Sequence, residues 1–191
     1  MPGPLVHRAS AMQLRKLLRG AFALDVRPEW YMRPDIMEKA KPGSHAGYNA
    51  VTMSGSLVDA VMARIDAIKC HLRDGRRNLV SMKLLEAQHL ICDAHMVTQI
   101  TPSLAKYDTL MDGLAEFVYN KDGDCRGEVP EMFGSFRESL ENSIRRTYAK
   151  YAGPCKRSRV RFVFSGLGPM TRRCVERGAV LAYYAYRETL T

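Results

Sequence analysis

A histidine and an aspartate four positions apart, His89 and Asp93, stand out chemically in the segment LLEAQHLICDAHMV. On a helix this spacing places both side chains on one face, one turn apart, so that an imidazole and a carboxylate can bind one metal ion. Met82, Leu85 and Met96 recur on the same face and predict that it points into the core. The alternative interpretation is a buried histidine that is hydrogen-bonded to Asp93 or to a backbone carbonyl.

All five histidines lie in the first half of the chain. His95 follows Asp93 by two positions, a rotation of about 200° on a helix, so it cannot join the same ligand set from that helix. His71 falls near a predicted helix end and is expected at the surface. Three further candidate ligands precede this helix: His7, Asp35 and His45.

In chain order, the candidate metal ligands are His7, Asp35, His45, His89 and Asp93. This order resembles the zinc-dependent phospholipase C superfamily, which includes single-strand-specific nucleases of the same all-helical fold. That family has a histidine near its N-terminus, then an aspartate, a further histidine and an HxxxD pair on a long core helix. The resemblance covers residues 7–102 and implies a zinc-dependent phosphoesterase.

The sequence departs from the family pattern after the HxxxD pair. Gln99 stands about where the family has its next histidine, and no later HxxxE or HxxxD pair follows. The resemblance therefore implies one or two metal ions. Zinc lowers the pKa of a bound water towards about 7, and the resulting hydroxide would attack the phosphorus of a phosphodiester.

A second metal prediction concerns the loop from Asn120 to Glu131, which resembles an EF-hand. Its oxygen-bearing residues fall at the loop positions that supply calcium ligands. Cys125 occupies the position where glycine normally makes the turn, and Pro130 also departs from the pattern. Bound calcium is therefore the less favoured alternative to zinc, and an acidic surface turn is the ordinary interpretation.

The positive charge of the chain is concentrated between Arg145 and Arg177. That segment has ten Lys or Arg residues and one acid, Glu176, giving a formal charge of +9, equal to the net charge of the whole chain. Such a segment attracts an anionic partner, whether a phosphodiester, nucleic acid or anionic lipid. A solvated surface without a partner is the alternative.

The elements that must position these residues are predicted to be helical, because apolar residues recur at turn spacing through most of the chain. The sequence predicts an all-α, single-domain helical bundle with a long N-terminal loop region, about residues 25–55, and a basic C-terminal segment. Helices are expected after Ser10, over about 56–74, 78–100, from Pro102, over 131–151, and from about 166 to 190. Gly153-Pro154 should end the fifth helix, and residues 160–164 are predicted to form a short strand.

A chain of 191 residues with 46% hydrophobic residues can bury the core of one domain. We divide it into a helical core, 1–155, and a basic C-terminal segment with the final helix, 156–191. The apolar run from Ala179 to Tyr186 is far shorter than the roughly 20 residues of a transmembrane helix, so no span is expected. Five cysteines without CxxC spacing predict free thiols in a reducing compartment.

The N-terminal segment lacks the apolar core of a secretory signal, so an intracellular, cytoplasmic location is expected. Import into an organelle is the alternative, because the first 19 residues are basic and lack an acid. The function expected first is zinc-dependent phosphodiester hydrolysis. The alternative is a non-catalytic basic helical subunit of a larger, nucleic-acid-containing or organellar assembly. The incomplete ligand set and eleven methionines suited to adaptable protein interfaces favour that alternative.

Overall fold

The computed structural model describes residues 4–19, 24, 49–107, 110–111, 113–115 and 134–190. Regular structure within these residues is helical and includes no β-strand, apart from one isolated bridge between Asn49 and Ser54. The all-α prediction is confirmed. No helix among these residues is both long enough and apolar enough to cross a bilayer.

The α-helices are, in chain order, α1 (Pro4–Arg19), α2 (Leu57–Arg73), α3 (Arg77–Asp93), α4 (Phe136–Arg157), α5 (Arg159–Ser165) and α6 (Leu167–Glu188). A 3₁₀ helix, Pro102–Tyr107, lies between α3 and α4. The apolar residues that recur at turn spacing along α2 are Leu57, Val61, Ile65, Ile68 and Leu72, of which the first four are buried and Leu72 is half-buried. This helix ends at Asp74-Gly75 as expected, where Gly75 has a φ of +68° that glycine adopts without strain.

Helix α3 lies at the centre of the molecule. It packs against α2 and α6 and also contacts α1. Each residue from Leu84 to Asp93 is buried, on every face of the helix. A helix enclosed in this way buries its polar side chains together with its apolar ones. The imidazole and carboxylate groups of α3 therefore lie away from bulk water.

Helices α1, α3 and α6 meet at Gly178. A Cβ atom at this position would lie 2.5 Å from Ser10 Oγ and 3.1 Å from Cys92 Cβ. The hydroxyl of Ser10 donates a hydrogen bond of 2.8 Å to the backbone carbonyl of Val175. The glycine thus allows the backbone of α6 to approach both neighbours closely, which brings the first turns of α1 beside the end of α3.

A buried carboxylate also joins α2 to α3. Glu86 is 1% exposed, and its carboxylate lies 2.8 Å from Lys83 Nζ and 3.4 Å from Arg64 Nε. Burial of an unpaired carboxylate would be costly, so the two cations stabilise its charged form. The contact between Arg64 and Glu86 links the two helices through charge as well as apolar packing.

The predicted helix boundaries need correction around α3 and α4. Helix α3 ends at Asp93 rather than near residue 100, and Ala94 and His95 form a turn. Helix α4 begins after a capping box, in which Ser135 and Glu138 exchange side-chain and backbone hydrogen bonds, and not near residue 131. It continues through Pro154 to Arg157, because Tyr151, Ala152 and Cys155 are buried on both sides of the proline and their packing offsets its cost.

The predicted strand over residues 160–164 is wrong, because this segment forms α5. Ser158 caps the helix by accepting a hydrogen bond from the backbone N–H of Arg161, at 3.3 Å. Phe162 is buried and Val163 is half-buried, whereas Arg161 and Phe164 are exposed. Two packed residues and a local cap favour a short helix, whereas a strand needs a neighbouring strand for its backbone hydrogen bonds.

We predict that Gly178→Ala lowers the free energy of unfolding by about 1–3 kcal/mol, because the added methyl group overpacks the junction of three helices. Gly153→Ala is the matched control, since a Cβ atom there meets only Arg157 Nη1, at 3.6 Å. The control should be neutral or stabilising by up to about 1 kcal/mol, as alanine favours helix over glycine. Urea unfolding measures both changes, and equal effects of the two substitutions would contradict the close approach at Gly178.

Candidate metal centre

Two helices bring together three of the predicted ligands. His7 lies near the start of α1, and His89 and Asp93 lie one turn apart at the end of α3. The four-residue spacing aligns the α3 pair, as expected for a helix. The position of His7 depends on how α1 packs across α3 and α6.

Both imidazoles face the same carboxylate. His7 Nε2 lies 3.1 Å from Asp93 Oδ1, and His89 Nε2 lies 3.1 Å from Asp93 Oδ2. The two rings stack almost in parallel, with centroids 4.1 Å apart and planes inclined by 4°. Both rings present Nε2 to Asp93, and each imidazole contacts a different carboxylate oxygen.

The site is enclosed, with His7 1% exposed and His89 and Asp93 fully buried. Burial, aided by the neighbouring His89, lowers the pKa of His7 to about 4, although Asp93 acts in the opposite direction. His7 is therefore neutral at pH 7. A neutral imidazole either donates a hydrogen bond from Nε2 to the carboxylate or offers the Nε2 lone pair to a metal ion.

The donor set fits a transition metal ion. One ligand atom from each of the three residues lies within 4.8 Å of the others, so the cluster can hold a metal ion. In tetrahedral zinc sites with bonds of about 2.1 Å, neighbouring ligand atoms are about 3.4 Å apart. The 3.1 Å contacts between imidazole and carboxylate are close to that spacing. The described residues provide no fourth His, Cys, Asp or Glu ligand to this cluster.

The structure does not describe the remaining predicted ligands. Asp35 and His45 lie outside the described residues, and so does the loop from Asn120 to Glu131 predicted to bind calcium. Their contribution to metal binding stays a prediction. The cysteines within the described residues form no disulfide, and Cys92, Cys155 and Cys174 are buried.

His95 lies outside the cluster because the chain turns after Asp93. Its Nδ1 atom lies 2.7 Å from the carbonyl oxygen of Ile91, and its Nε2 atom lies 2.8 Å from the hydroxyl of Ser143. A carbonyl oxygen only accepts, so neutral His95 carries its proton on Nδ1 and accepts from Ser143 at Nε2. His71, expected at the surface, is half-buried on α2.

The polar face of α4, from which Ser143 meets His95, is not among the features predicted from the sequence. Ser139, Ser143 and Thr147 are buried at four-residue spacing beside the apolar stripe of this helix. Thr147 accepts a hydrogen bond of 2.8 Å from Arg173 Nε. A row of small hydroxyl residues at helical spacing was the available signal. Part of the Arg145 to Arg177 segment also faces inward, since Arg177 is only 7% exposed.

Comparisons with known proteins find no family model, no curated protein and no solved structure that matches this chain. The resemblance to the zinc-dependent phospholipase C superfamily therefore stays a prediction from the order of the ligands. What the geometry adds is independent of that family: three side chains that could hold a metal ion converge in the core.

We predict that the free energy of unfolding falls as the pH is lowered from about 6.5 towards 3, and that His95 contributes to this decrease. Burial, aided by the charges of Arg173 and Arg177, lowers the pKa of His95 to about 3. Below about pH 6.5 the unfolded chain therefore binds a proton that the folded chain excludes.

Urea unfolding of the parent and of His95→Gln between pH 7.5 and 4.5 measures this contribution. The variant should be less stable at pH 7.5 but lose less stability on acidification. Identical losses in both proteins would show that His95 does not take part in the pH dependence.

Proposed function

We propose that the protein is a zinc-binding helical protein in which His7, His89 and Asp93 hold the ion, and that the ion fastens α1 to α3. The observation that carries this proposal is the approach of two imidazole nitrogens to one buried carboxylate, each at 3.1 Å. Two imidazoles with one carboxylate favour zinc over magnesium or calcium, which prefer oxygen ligands.

The electrostatics of the site support a divalent cation. His7 is neutral at pH 7, so it supplies no positive charge to balance an ionised Asp93 carboxylate. A divalent ion bound by the three side chains would compensate that charge directly. Because such a site requires α1 and α3 together, the ion would bind the folded chain in preference to the unfolded one and stabilise it.

A structural role is favoured over a catalytic one by burial. All three side chains are enclosed, whereas a hydrolytic zinc ion keeps one position open to water and substrate. The burial of the ligands therefore favours the alternative function, a non-catalytic helical subunit. Zinc-dependent phosphodiester hydrolysis is the second candidate, and it is supported by the three-ligand donor set, which leaves a fourth position for a water molecule.

We also propose that the basic segment binds an anionic partner. Its exposed cations lie along the second half of α4, on α5 and near the start of α6: Arg145, Arg146, Lys150, Lys156, Arg157, Arg159, Arg161 and Arg172. No acidic residue occurs between Glu141 and Glu176. The local positive potential is thus not compensated along this stretch of chain, which favours association with anions and makes it dependent on salt.

We predict that protein purified without chelator retains about one equivalent of zinc, and that His7→Ala, His89→Ala and Asp93→Asn each lose it, since each removes one of about four ligands. Elemental analysis measures the zinc content, and circular dichroism checks that each variant is folded. His71→Ala removes a histidine outside the cluster and should retain the metal. Zinc should raise the midpoint of thermal unfolding of the parent but not of Asp93→Asn. Equal zinc contents in the parent and all three ligand variants would rule this site out.

For the zinc-loaded protein, we expect no hydrolysis of bis(4-nitrophenyl) phosphate above the rate of free zinc, because the enclosed ion has no access to the substrate. The release of 4-nitrophenolate measures this rate. Hydrolysis that requires zinc and disappears in Asp93→Asn, but persists in His71→Ala, would instead establish the catalytic candidate.

A further inference from the structure

Two large apolar side chains project from α5 into solvent. Val160 is 71% exposed and Phe164 is 87% exposed, the largest exposures among the apolar side chains of the described residues. They are four positions apart, so they lie on one face of the helix, about one turn from each other. Phe162, on the opposite side, is buried and anchors α5 to the bundle.

A cleft with two arginines lies at the junction of α4 and α5. Its volume is about 340 Å³, and it is lined by Pro154, Arg157, Ser158, Arg161, Phe162 and Ser165. Arg157 and Arg161 are both exposed, and neither forms an ion pair with another described residue. Two guanidinium groups beside one cleft are suited to a phosphate group, because each can donate paired hydrogen bonds to its oxygens.

Two further cations of α4 and α5 lie over aromatic rings. Arg159 lies over the ring of Tyr107, with its guanidinium carbon 4.2 Å from the ring centroid. Lys156 lies over the ring of Tyr148, at 5.6 Å. These contacts hold the cations near the surface without neutralising them, since an aromatic ring has no net charge.

We propose that α5 docks on an anionic membrane surface, with Val160 and Phe164 entering the boundary between headgroups and acyl chains, and with Arg157 and Arg161 receiving a lipid phosphate. This inference rests on the proposed anionic partner and names its class. A short helix with apolar side chains beside a cationic rim is the pattern of proteins that lie on anionic bilayers.

The apolar pair favours a membrane over single-stranded nucleic acid. Nucleic acid binding of this kind needs aromatic faces on which successive bases stack. Val160 has no such face, and it is aligned with Phe164 along the exposed side of the helix. Both side chains can be buried together in an acyl environment, where an aliphatic residue contributes as much as an aromatic one of similar area.

The test is sedimentation of the full chain with vesicles of phosphatidylcholine, alone or with a minority of phosphatidylserine. We expect binding to the anionic vesicles only, weakening as salt is raised. Val160→Ser/Phe164→Ser should reduce the vesicle affinity about tenfold or more through lost apolar burial. Arg157→Gln/Arg161→Gln should reduce the affinity and its salt dependence.

Matched control variants separate this surface from general effects of charge and exposure. Val51→Ser/Leu110→Ser removes two other exposed apolar side chains, which are 65% and 60% exposed, and should leave vesicle binding unchanged. Lys69→Gln/Arg77→Gln removes two exposed cations from α2 and α3 and should have a much smaller effect than Arg157→Gln/Arg161→Gln.

The outcomes distinguish the membrane from the broader proposal of an anionic partner. Binding to a single-stranded oligonucleotide but not to anionic vesicles would overturn the membrane inference and keep the anionic partner. If the chain bound neither the oligonucleotide nor the anionic vesicles, the membrane inference and the anionic partner would both be overturned. If the arginine variant lost vesicle binding while the apolar variant matched the parent, insertion of α5 would be overturned.

Discussion

The enclosure of α3 by its neighbours is the constraint on which the rest of this structure depends. A buried polar group needs a partner, because losing its contact with water costs free energy. Three buried polar side chains on or just after α3 therefore meet groups of other elements. Asp93 meets two histidines, Glu86 meets two cations, and His95, just beyond the helix, meets a hydroxyl on α4.

The same constraint makes the His7, His89 and Asp93 cluster suited to a metal ion. Stacked imidazoles whose nitrogens face one carboxylate are already arranged as ligands, so binding would need small movements of the side chains. Gly178 contributes indirectly, since the close approach of α6 to α1 and α3 sets where His7 lies. Because these side chains are already ordered, binding an ion would cost less conformational entropy.

The two candidate functional regions differ in their relation to water. The candidate metal centre is enclosed by helices, whereas α5 exposes its apolar and cationic side chains on the outside of the bundle. The proposed structural ion and the proposed membrane-docking surface do not require one another. They are consistent with a helical protein whose core is stabilised internally and whose partner binds at the surface.

The sequence by itself determined the all-α class, the burial of α2 along its apolar stripe, and the alignment of His89 with Asp93. These follow from local periodicity, because residues four apart share a face of any helix. The sequence also predicted that His95 does not join His89 and Asp93 as a ligand. The predicted reason was its rotation around the helix, whereas in the structure α3 ends before His95.

Only the tertiary structure decided that His7 joins the α3 pair, because contact between distant residues depends on the packing of α1 against α6. It also decided that residues 159–165 form a helix and that Arg177 is buried. Alternating basic and apolar residues suit either a strand or a helix when taken locally. The choice depended on the cap at Ser158 and on the site that the bundle offers to Phe162, which are features of the folded chain rather than of the spacing of its residues.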